Sequence, residues 1–167
     1  MISRRAFTTT SLTALLAGSV TLQRASAAGS EQAKFEITKS AAEWKQLLTP
    51  AQYYVLREHG TERAGTSPLD KEKRDGAFAC AACDLPVYSS ATKFNSGTGW
   101  PSFWQPLDNA VGTSIDKSFF VTRTEVHCRR CGGHLGHVFE DGPKPTGLRH
   151  CINGVALKFI PKDKAAS

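Results

Sequence analysis

The first strong pattern in the chain is that of a short helix with one apolar face. Ser40 and Glu43 form a capping box, in which each side chain satisfies a backbone N–H group at the start of a helix. Trp44, Leu47 and Leu48 follow at the spacing that places side chains on one side of a helix. We expect this apolar face to pack against the core.

A second helix is predicted to follow directly. Thr49 and Gln52 repeat the capping pattern, and Pro50 suits the first helical position because an N–H group has no intrahelical partner there. Apolar residues 53–56 continue the helix, which is predicted to end at Gly60.

Beyond Gly60 the pattern changes to short apolar runs bounded by glycine, proline and asparagine, which is typical of an all-β body. The sequence therefore predicts a mainly β fold preceded by short N-terminal helices. The predicted strands cover residues 77–79, 87–89, 118–126, 137–139 and 155–160.

The N-terminus has the pattern of an export signal. An arginine pair, Arg4-Arg5, precedes a mildly apolar stretch at residues 12–22, and Ala25-Ser26-Ala27 offers the small residues that a signal peptidase requires. These features outline a twin-arginine signal over residues 1–27, so we expect the mature protein to be periplasmic. The stretch is too short and too polar for a permanent membrane anchor. An uncleaved amphipathic tail is the alternative.

Removing that signal lowers the formal net charge from +6 to +3, because it contains three arginines and no acidic residue. A domain with so small an excess of positive charge and no basic run is not expected to bind nucleic acid. About 140 residues is a common size for one hydrophobic core. Residues 28–167 are therefore predicted to form one domain, which we expect to be a monomer.

Four of the five cysteines lie in two CxxC pairs, Cys80 with Cys83 and Cys128 with Cys131. Two thiolates three positions apart on a tight turn can face one ion, and a second such turn completes a tetrahedron around zinc. We therefore predict one structural Zn²⁺ site with these four ligands.

Two alternatives to a four-sulfur site are open at this stage. The four cysteines could form two disulfides in an oxidising compartment, or His134 or His137 could replace one cysteine as a ligand. Twin-arginine export carries folded proteins, so a metal could be bound before the chain meets oxidants. A thiolate metal site and this signal are therefore compatible.

The fifth cysteine, Cys151, is left without a partner. Its neighbours Arg149, His150 and Asn153 are expected to lower the thiol pKa, and a shift from about 8.5 to about 6.5 would leave most of the thiol ionised at pH 7. His134 and His137 follow the second CxxC turn, which would hold them rigidly for proton transfer. Cys151 is thus the candidate nucleophile and the two histidines are candidate acid-base groups.

Several segments of the chain also occur in a characteristic order. They are the CxxC pair at 80–83, FNSGTGWPSF at 94–103, the CxxC pair at 128–131, HLGHVF at 134–139 and RHCIN at 149–153. In this order and in coverage of nearly the whole predicted domain, the chain resembles the B-type methionine sulfoxide reductases. The resemblance implies two antiparallel sheets in a tent-like arrangement, a structural zinc away from the active site, and reduction of the R epimer of methionine sulfoxide, free or in oxidised proteins.

The resemblance also assigns roles to individual residues. Cys151 matches the catalytic cysteine, which attacks the sulfoxide sulfur and becomes a sulfenic acid. Trp100 matches the aromatic residue that receives the ε-methyl group, and His137 is the first candidate to bind or protonate the sulfoxide oxygen. The other matched positions are His134, Asn153, Arg149 and Asp141, of which the last two would tune the nucleophile and its surroundings.

Thr98 occupies a position where many family members carry a resolving cysteine. If zinc holds the four CxxC thiols, no further thiol remains to form a disulfide with Cys151. We therefore expect an external reductant, either a thioredoxin-like protein or a small thiol.

Two other functions explain less of the sequence. A non-enzymatic zinc-binding module gives no role to Cys151 or to the histidine pair. A dithiol-disulfide oxidoreductase that uses one CxxC pair would need a βαβ pattern, which the sequence does not predict.

Overall fold

Both predicted helices are present in the computed structural model, which describes residues 35–118 and 121–164. Helix α1 spans Ala41–Leu47 and helix α2 spans Pro50–Glu58, and each begins with the predicted capping box. The predicted signal at residues 1–27 lies outside the described residues. Neither helix has the length and apolar character needed to cross a membrane, and the same holds for every described helix.

Helix α1 packs on the core through a narrower face than predicted. Trp44 and Leu48 are buried, but Leu47 is 60% exposed, so its assignment to the apolar face is wrong. A helix of fewer than two full turns contacts the core along one edge only, and Leu47 lies beside that edge. Helix α2 buries Val55 and Leu56.

The described strands form two antiparallel sheets, as the resemblance implied. The three-stranded sheet has the order β2-β1-β9, and the six-stranded sheet has the order β3-β4-β8-β7-β6-β5. The strands are β1 (Gly76–Cys80), β2 (Pro86–Ser89), β3 (Lys93–Phe94), β4 (Ser102–Phe103), β5 (Val111–Asp116), β6 (Arg123–Cys128), β7 (His134–Phe139), β8 (Arg149–Ile152) and β9 (Leu157–Pro161), and short 3-10 turns cover Pro68–Lys71, Ser90–Thr92, Gly154–Ala156 and Lys162–Lys164.

One predicted strand begins too early. Residues 118–126 are expected to form one strand, but β6 begins only at Arg123, and Ser118, Val121 and Thr122 lie outside it. The preceding strand, Val111–Asp116, was missed because its residues are only partly buried or exposed and show no apolar alternation. The two strands pair along their whole length, from Val111 opposite Cys128 to Asp116 opposite Arg123.

Aromatic rings join the two sheets in the core. Tyr88 of β2 stacks on Phe103 of β4 with ring centroids 4.4 Å apart, and Phe78 of β1 meets Phe103 edge-on at 5.0 Å. All three side chains are fully buried. This contact fixes the three-stranded sheet against β4, which lies beside the strand that carries Cys151.

Candidate functional site

The four CxxC cysteines converge at the ends of β1 and β6. The sulfurs of Cys80 and Cys131 are 3.8 Å apart, and those of Cys83 and Cys128 are 3.5 Å apart. All four sulfurs lie within 4.8 Å of one another. Four sulfurs each about 2.3 Å from a central ion would be separated by about 3.8 Å. The four residues therefore fit a tetrahedral metal site.

Neither alternative to four sulfur ligands is present in the structure. The sulfur separations exceed the roughly 2.05 Å of a disulfide, and the cysteines are free thiols. His134 and His137 are hydrogen-bonded instead to Glu125 and Asp116, at 2.7 Å and 2.8 Å.

A cation that the sequence did not single out lies beside this cluster. Arg57 of α2 donates two hydrogen bonds to the carbonyl oxygen of Cys131, at 3.1 and 3.0 Å, and its Nη2 lies 3.6 Å from the Cys131 sulfur. Its guanidinium also covers the ring of Trp44 at 4.5 Å. A positive charge at this place would offset the negative charge of thiolates that hold a metal ion.

Cys151 lies apart from the cysteine cluster, on β8, a central strand of the six-stranded sheet. It is directly opposite His137 of β7 and Ser102 of β4. Because directly opposite residues project from the same face of a sheet, the thiol and the imidazole are neighbours. They open into a cavity of about 130 Å³ lined by Thr61, Trp100, Arg123, Gly136, His137, Phe139, Cys151 and Asn153.

The protonation state of Cys151 differs from the prediction. Burial raises the pKa of its thiol, and the charge of Arg149 together with hydrogen bonds from Thr98 and Arg149 offsets this effect only in part. The predicted lowering of this pKa is therefore wrong, because removal of the thiolate from water outweighs the nearby cation. Cys151 is a thiol in the resting structure.

His150 does not contribute a charge to Cys151. It is 5% exposed, and its Nδ1 lies 3.1 Å from the Tyr88 hydroxyl on the core side of β8. Burial lowers the pKa of His150 to about 4, so the ring is neutral at pH 7. Alternation along the strand separates it from the cavity that Cys151 faces.

His137 is held by a carboxylate that the sequence did not reveal. Its Nε2 lies 2.8 Å from Asp116 Oδ2, and the same oxygen accepts from Arg123 Nη2 at 2.7 Å. Burial lowers the pKa of His137 and Asp116 opposes that effect. Hydrogen bonds from Ser118, then from His137 and Arg123, keep the pKa of Asp116 well below its usual range.

This geometry fixes the tautomer of His137. With Nε2 donating to the Asp116 carboxylate, the neutral ring has its lone pair on Nδ1. Asp116 and Arg123 were missed because they lie at the open ends of two strands and belong to no recognisable motif. Their pairing across β5 and β6 is the only feature that brings them to His137.

His134 takes a different position from its partner in the motif. It is 2% exposed and does not line the cavity. Its Nδ1 lies 2.7 Å from Glu125 Oε1, an oxygen that His59 Nδ1 also approaches at 3.0 Å. Its ring meets that of His137 edge-on, with centroids 5.3 Å apart. His134 can therefore affect the cavity only through His137.

Trp100 and Asn153 both line the cavity, and Glu62 holds both in place. The Trp100 indole donates to the Glu62 carbonyl oxygen at 3.1 Å, and the Glu62 N–H group donates to Asn153 Oδ1 at 2.9 Å. Asn153 Nδ2 donates to the Leu135 carbonyl oxygen at 3.0 Å. One N–H of this amide is left for the cavity.

Arg149 and Asp141 form an ion pair outside the cavity lining. Arg149 donates to both carboxylate oxygens of Asp141, at 2.8 and 2.9 Å, and its guanidinium covers the ring of Phe139 at 4.5 Å. Neither residue lines the cavity, and the side chain of Asp141 is 63% exposed. The charge of Arg149 lowers the pKa of the Cys151 thiol, and the opposite charge of Asp141 raises it by a smaller amount.

Thr98 lies near Cys151 and is one of the groups that lower the pKa of its thiol. The Thr98 hydroxyl lies 2.8 Å from the hydroxyl of Ser96. Ser96 in turn lies 2.7 Å from the hydroxyl of Ser102. The structure therefore places a hydroxyl network, and no second thiol, beside Cys151.

Comparison with known proteins agrees with this arrangement. Residues 48–161 match the SelR domain. The chain is 54% identical over 126 residues to a protein of Leptospira interrogans named peptide methionine sulfoxide reductase MsrB, and the alignment covers 75% of this chain and 96% of that one. It is 52% identical over 127 residues to a protein of the same name from Agrobacterium fabrum, with 75% and 94% covered. A Methanosarcina barkeri protein of that name is 54% identical over 129 residues, with 77% and 91% covered. Since the matched domain covers more than half of the chain and these relatives align over nearly their whole length, the chain belongs to the MsrB family of SelR-domain proteins.

Proposed function

We propose that this protein is an oxidoreductase that reduces the R epimer of methionine sulfoxide, with Cys151 as its only redox-active cysteine. One observation carries the proposal. Cys151 and His137 are opposite each other on neighbouring strands, and both line a small cavity together with Trp100. A thiol, a proton carrier and an apolar ring are the three groups that a methyl sulfoxide requires.

The resting charges suggest how the reaction begins. Cys151 is a thiol with a raised pKa, and His137 is neutral with a free Nδ1. The thiol proton passes to His137, which increases the nucleophilicity of the sulfur, and the imidazolium then protonates the sulfoxide oxygen. Asp116 stabilises the imidazolium between these two proton transfers.

The reaction is balanced in atoms and electrons. The Cys151 sulfur attacks the sulfoxide sulfur, the bond between sulfur and oxygen in the substrate breaks, and the oxygen with its proton ends on Cys151 as a sulfenic acid. The substrate sulfur gains two electrons and leaves as methionine, while the Cys151 sulfur loses two. Preference for the R epimer rests on family membership.

The sulfenic acid then needs an external reductant. Thr98 offers a hydroxyl where a resolving thiol would have to lie, and the four CxxC sulfurs belong to the metal cluster. A thioredoxin-like protein or a small thiol would attack the sulfenic sulfur, release water and then exchange with a second thiol.

The metal in the cysteine cluster would be zinc, because four thiolates in a tetrahedron suit that ion. When bound, it would supply a cross-link between the two sheets, since Cys80 ends a strand of one sheet and Cys128 ends a strand of the other. It would take no part in the chemistry at Cys151.

The N-terminal sequence supports export as part of this function. An arginine pair, an apolar stretch and a small-residue cleavage site occur in that order in residues 1–27. We propose that the enzyme repairs methionine sulfoxide in the periplasm. Fractionation of cells that produce the full chain, with and without Arg4 and Arg5 changed to lysine, tests this location.

Turnover of each sulfoxide epimer tests the enzymatic proposal. With dithiothreitol as reductant, we expect reduction of the R epimer only, and Cys151→Ser should lower kcat/KM by on the order of a thousandfold or more. The variant should retain its metal. Activity that survives this substitution would contradict the assignment of the nucleophile.

A second measurement tests the absence of a resolving thiol. Oxidation with one equivalent of substrate should leave a sulfenic acid on Cys151 that dimedone traps, with no new internal disulfide. Mass spectrometry that finds Cys151 bridged to any CxxC cysteine would refute this part of the proposal.

A further inference from the structure

A second and larger cavity lies beside the one that Cys151 and His137 line, which we call the catalytic cavity. We call the larger one the Tyr54 cavity, and its walls include Ala51, Tyr54 and Val55 of α2, together with Thr61, Pro68 and Val155. Its volume is about 410 Å³, against about 130 Å³ for the catalytic cavity. Thr61 lines both, so the two cavities are immediate neighbours.

The catalytic cavity is too small to hold a whole substrate. A cavity of about 130 Å³ is well below the roughly 300 Å³ at which sites for complete small ligands begin. It can receive the methylsulfinyl end of one side chain. The rest of a polypeptide substrate must then lie across the rim, and on the Thr61 side that rim leads into the Tyr54 cavity.

The Tyr54 cavity has an apolar wall made by Ala51, Tyr54, Val55, Pro68 and Val155, and the hydroxyl residues Thr61, Thr66 and Ser67 complete its lining. Tyr54 is 51% exposed, which is a large exposed fraction for an aromatic residue. Its ring lies close against Gly60, where an added Cβ atom would overlap it. Glycine at position 60 therefore leaves room for the ring in this position.

The charges around the cavity restrict its ligand. The carboxylate of Glu62 is occupied by the N–H groups of Gly154 and Val155. Arg63 is the cationic residue of the wall, so a positively charged side chain would be repelled. The apolar members of the wall, which include Tyr54, Val55 and Val155, offer an apolar side chain a surface to pack against.

We propose that the Tyr54 cavity binds an apolar side chain close to the methionine sulfoxide in an oxidised polypeptide. This inference rests on the proposed function. In an extended chain, residues two positions apart project from the same side about 7 Å from each other, so both can enter adjacent cavities. The enzyme would thus select protein-bound methionine sulfoxide within apolar sequence.

Paired peptides test this selection. Blocked pentapeptides with a central methionine-(R)-sulfoxide carry leucine or aspartate two residues before or after it, and N-acetyl-methionine-(R)-sulfoxide amide serves as the minimal substrate. On at least one side of the methionine sulfoxide, we expect kcat/KM to be about tenfold higher with leucine than with aspartate. Burial of a leucine side chain contributes a factor of this size or more.

Two variants locate the effect. Tyr54→Ala removes the aromatic wall, and Ala51→Phe fills the cavity from an exposed helix position. Each should reduce the leucine preference to less than about twofold and leave the minimal substrate unaffected. Leu47→Ala, which removes an equally exposed apolar side chain from α1, is the matched control and should keep the preference.

The outcomes separate this inference from the proposed function. Equal kcat/KM values for all peptides, or a preference that survives both variants, would overturn the Tyr54 cavity as a subsite while the minimal substrate is still reduced. If the minimal substrate is not reduced, the proposed function fails. Calorimetry of the same peptides with Cys151→Ser then still tests whether the Tyr54 cavity prefers leucine, because binding requires no turnover.

Discussion

The cysteine cluster and the cavity at Cys151 place the same side chain in two different surroundings. In the cluster, four sulfurs from two turns converge to 3.5–3.8 Å within the closest pairs. In the cavity, one sulfur lies on a central strand opposite His137, with Arg149 and Thr98 near enough to affect its pKa. The first arrangement could hold a metal ion, and the second is the one in which we propose that the sulfur reacts.

The two regions also differ in what a neighbouring cation achieves. Arg57 reaches a sulfur that already belongs to a set of potential thiolates. Arg149 reaches a sulfur whose thiol form is favoured by burial, and its charge does not reverse that preference. A cation next to a cysteine in the sequence therefore does not by itself indicate a lowered pKa, because the degree of burial must also be known.

The largest expected effect comes from breaking the metal centre. Cys128→Ser removes one of four ligands, and we expect loss of the bound metal and a fall of more than about 4 kcal/mol in the free energy of unfolding. Metal analysis and denaturant unfolding measure both changes. Cys151→Ser is the control, and it should change neither. If both variants lose the metal, the division between the two regions is wrong.

A smaller effect is expected from the carboxylate behind His137. Asp116→Asn removes the charge that favours the imidazolium, so the pKa of His137 should fall further and the corresponding limb of the pH profile should move to lower pH. We expect kcat/KM at pH 7 to fall about 10- to 100-fold. Asp84→Asn, which changes an exposed carboxylate paired with Lys158, is the control and should leave the profile unchanged.

The position of Thr98 near Cys151 gives a third prediction. Because Thr98 is close enough to lower the pKa of the Cys151 thiol, Thr98→Cys should bring a second sulfur within reach of Cys151. After one turnover without reductant, non-reducing mass spectrometry should find a disulfide between these two positions, with activity in dithiothreitol changed less than about threefold. Thr98→Ser should form none. A sulfenic acid that persists in the cysteine variant would show that position 98 cannot supply a resolving thiol.

The smallest effect on activity should come from His150, which marks the edge of the catalytic region. His150→Phe should leave kcat/KM within about twofold and cost about 1 kcal/mol of stability, because the Tyr88 hydroxyl loses its partner. In the unchanged protein, the folded state binds a proton at His150 only near pH 4, whereas the unfolded chain binds it near pH 6.5.

The sign of the resulting pH dependence follows from this difference. As the pH falls from about 6.5 to about 4, the unfolded state gains the proton first, so the free energy of unfolding decreases. Urea titrations at several pH values should show a smaller decrease for His150→Phe. An identical decrease in both proteins would mean that His150 is not buried in its neutral form.

The sequence predicted the local elements where one residue pattern determines one structure. The capping boxes at Ser40 and Thr49 begin helices where expected, because hydrogen bonds between residues three apart define them. Strand β5 was missed since partial burial at an edge leaves no periodicity to detect. The same strand carries Asp116, so the missed strand and the missed site residue have one cause.

The spacing of the two CxxC pairs predicted a cluster of four cysteines that could hold a metal ion, and the order of the motifs indicated the family. Both depend on residue identity and order, which the chain states directly. The tertiary structure decided three further matters: His134 lies outside the cavity, His150 is a neutral core residue, and Cys151 is a thiol rather than a thiolate. Each of these depends on which side chains are removed from water and which lie across a neighbouring strand, and such relations exist only once distant segments have packed together.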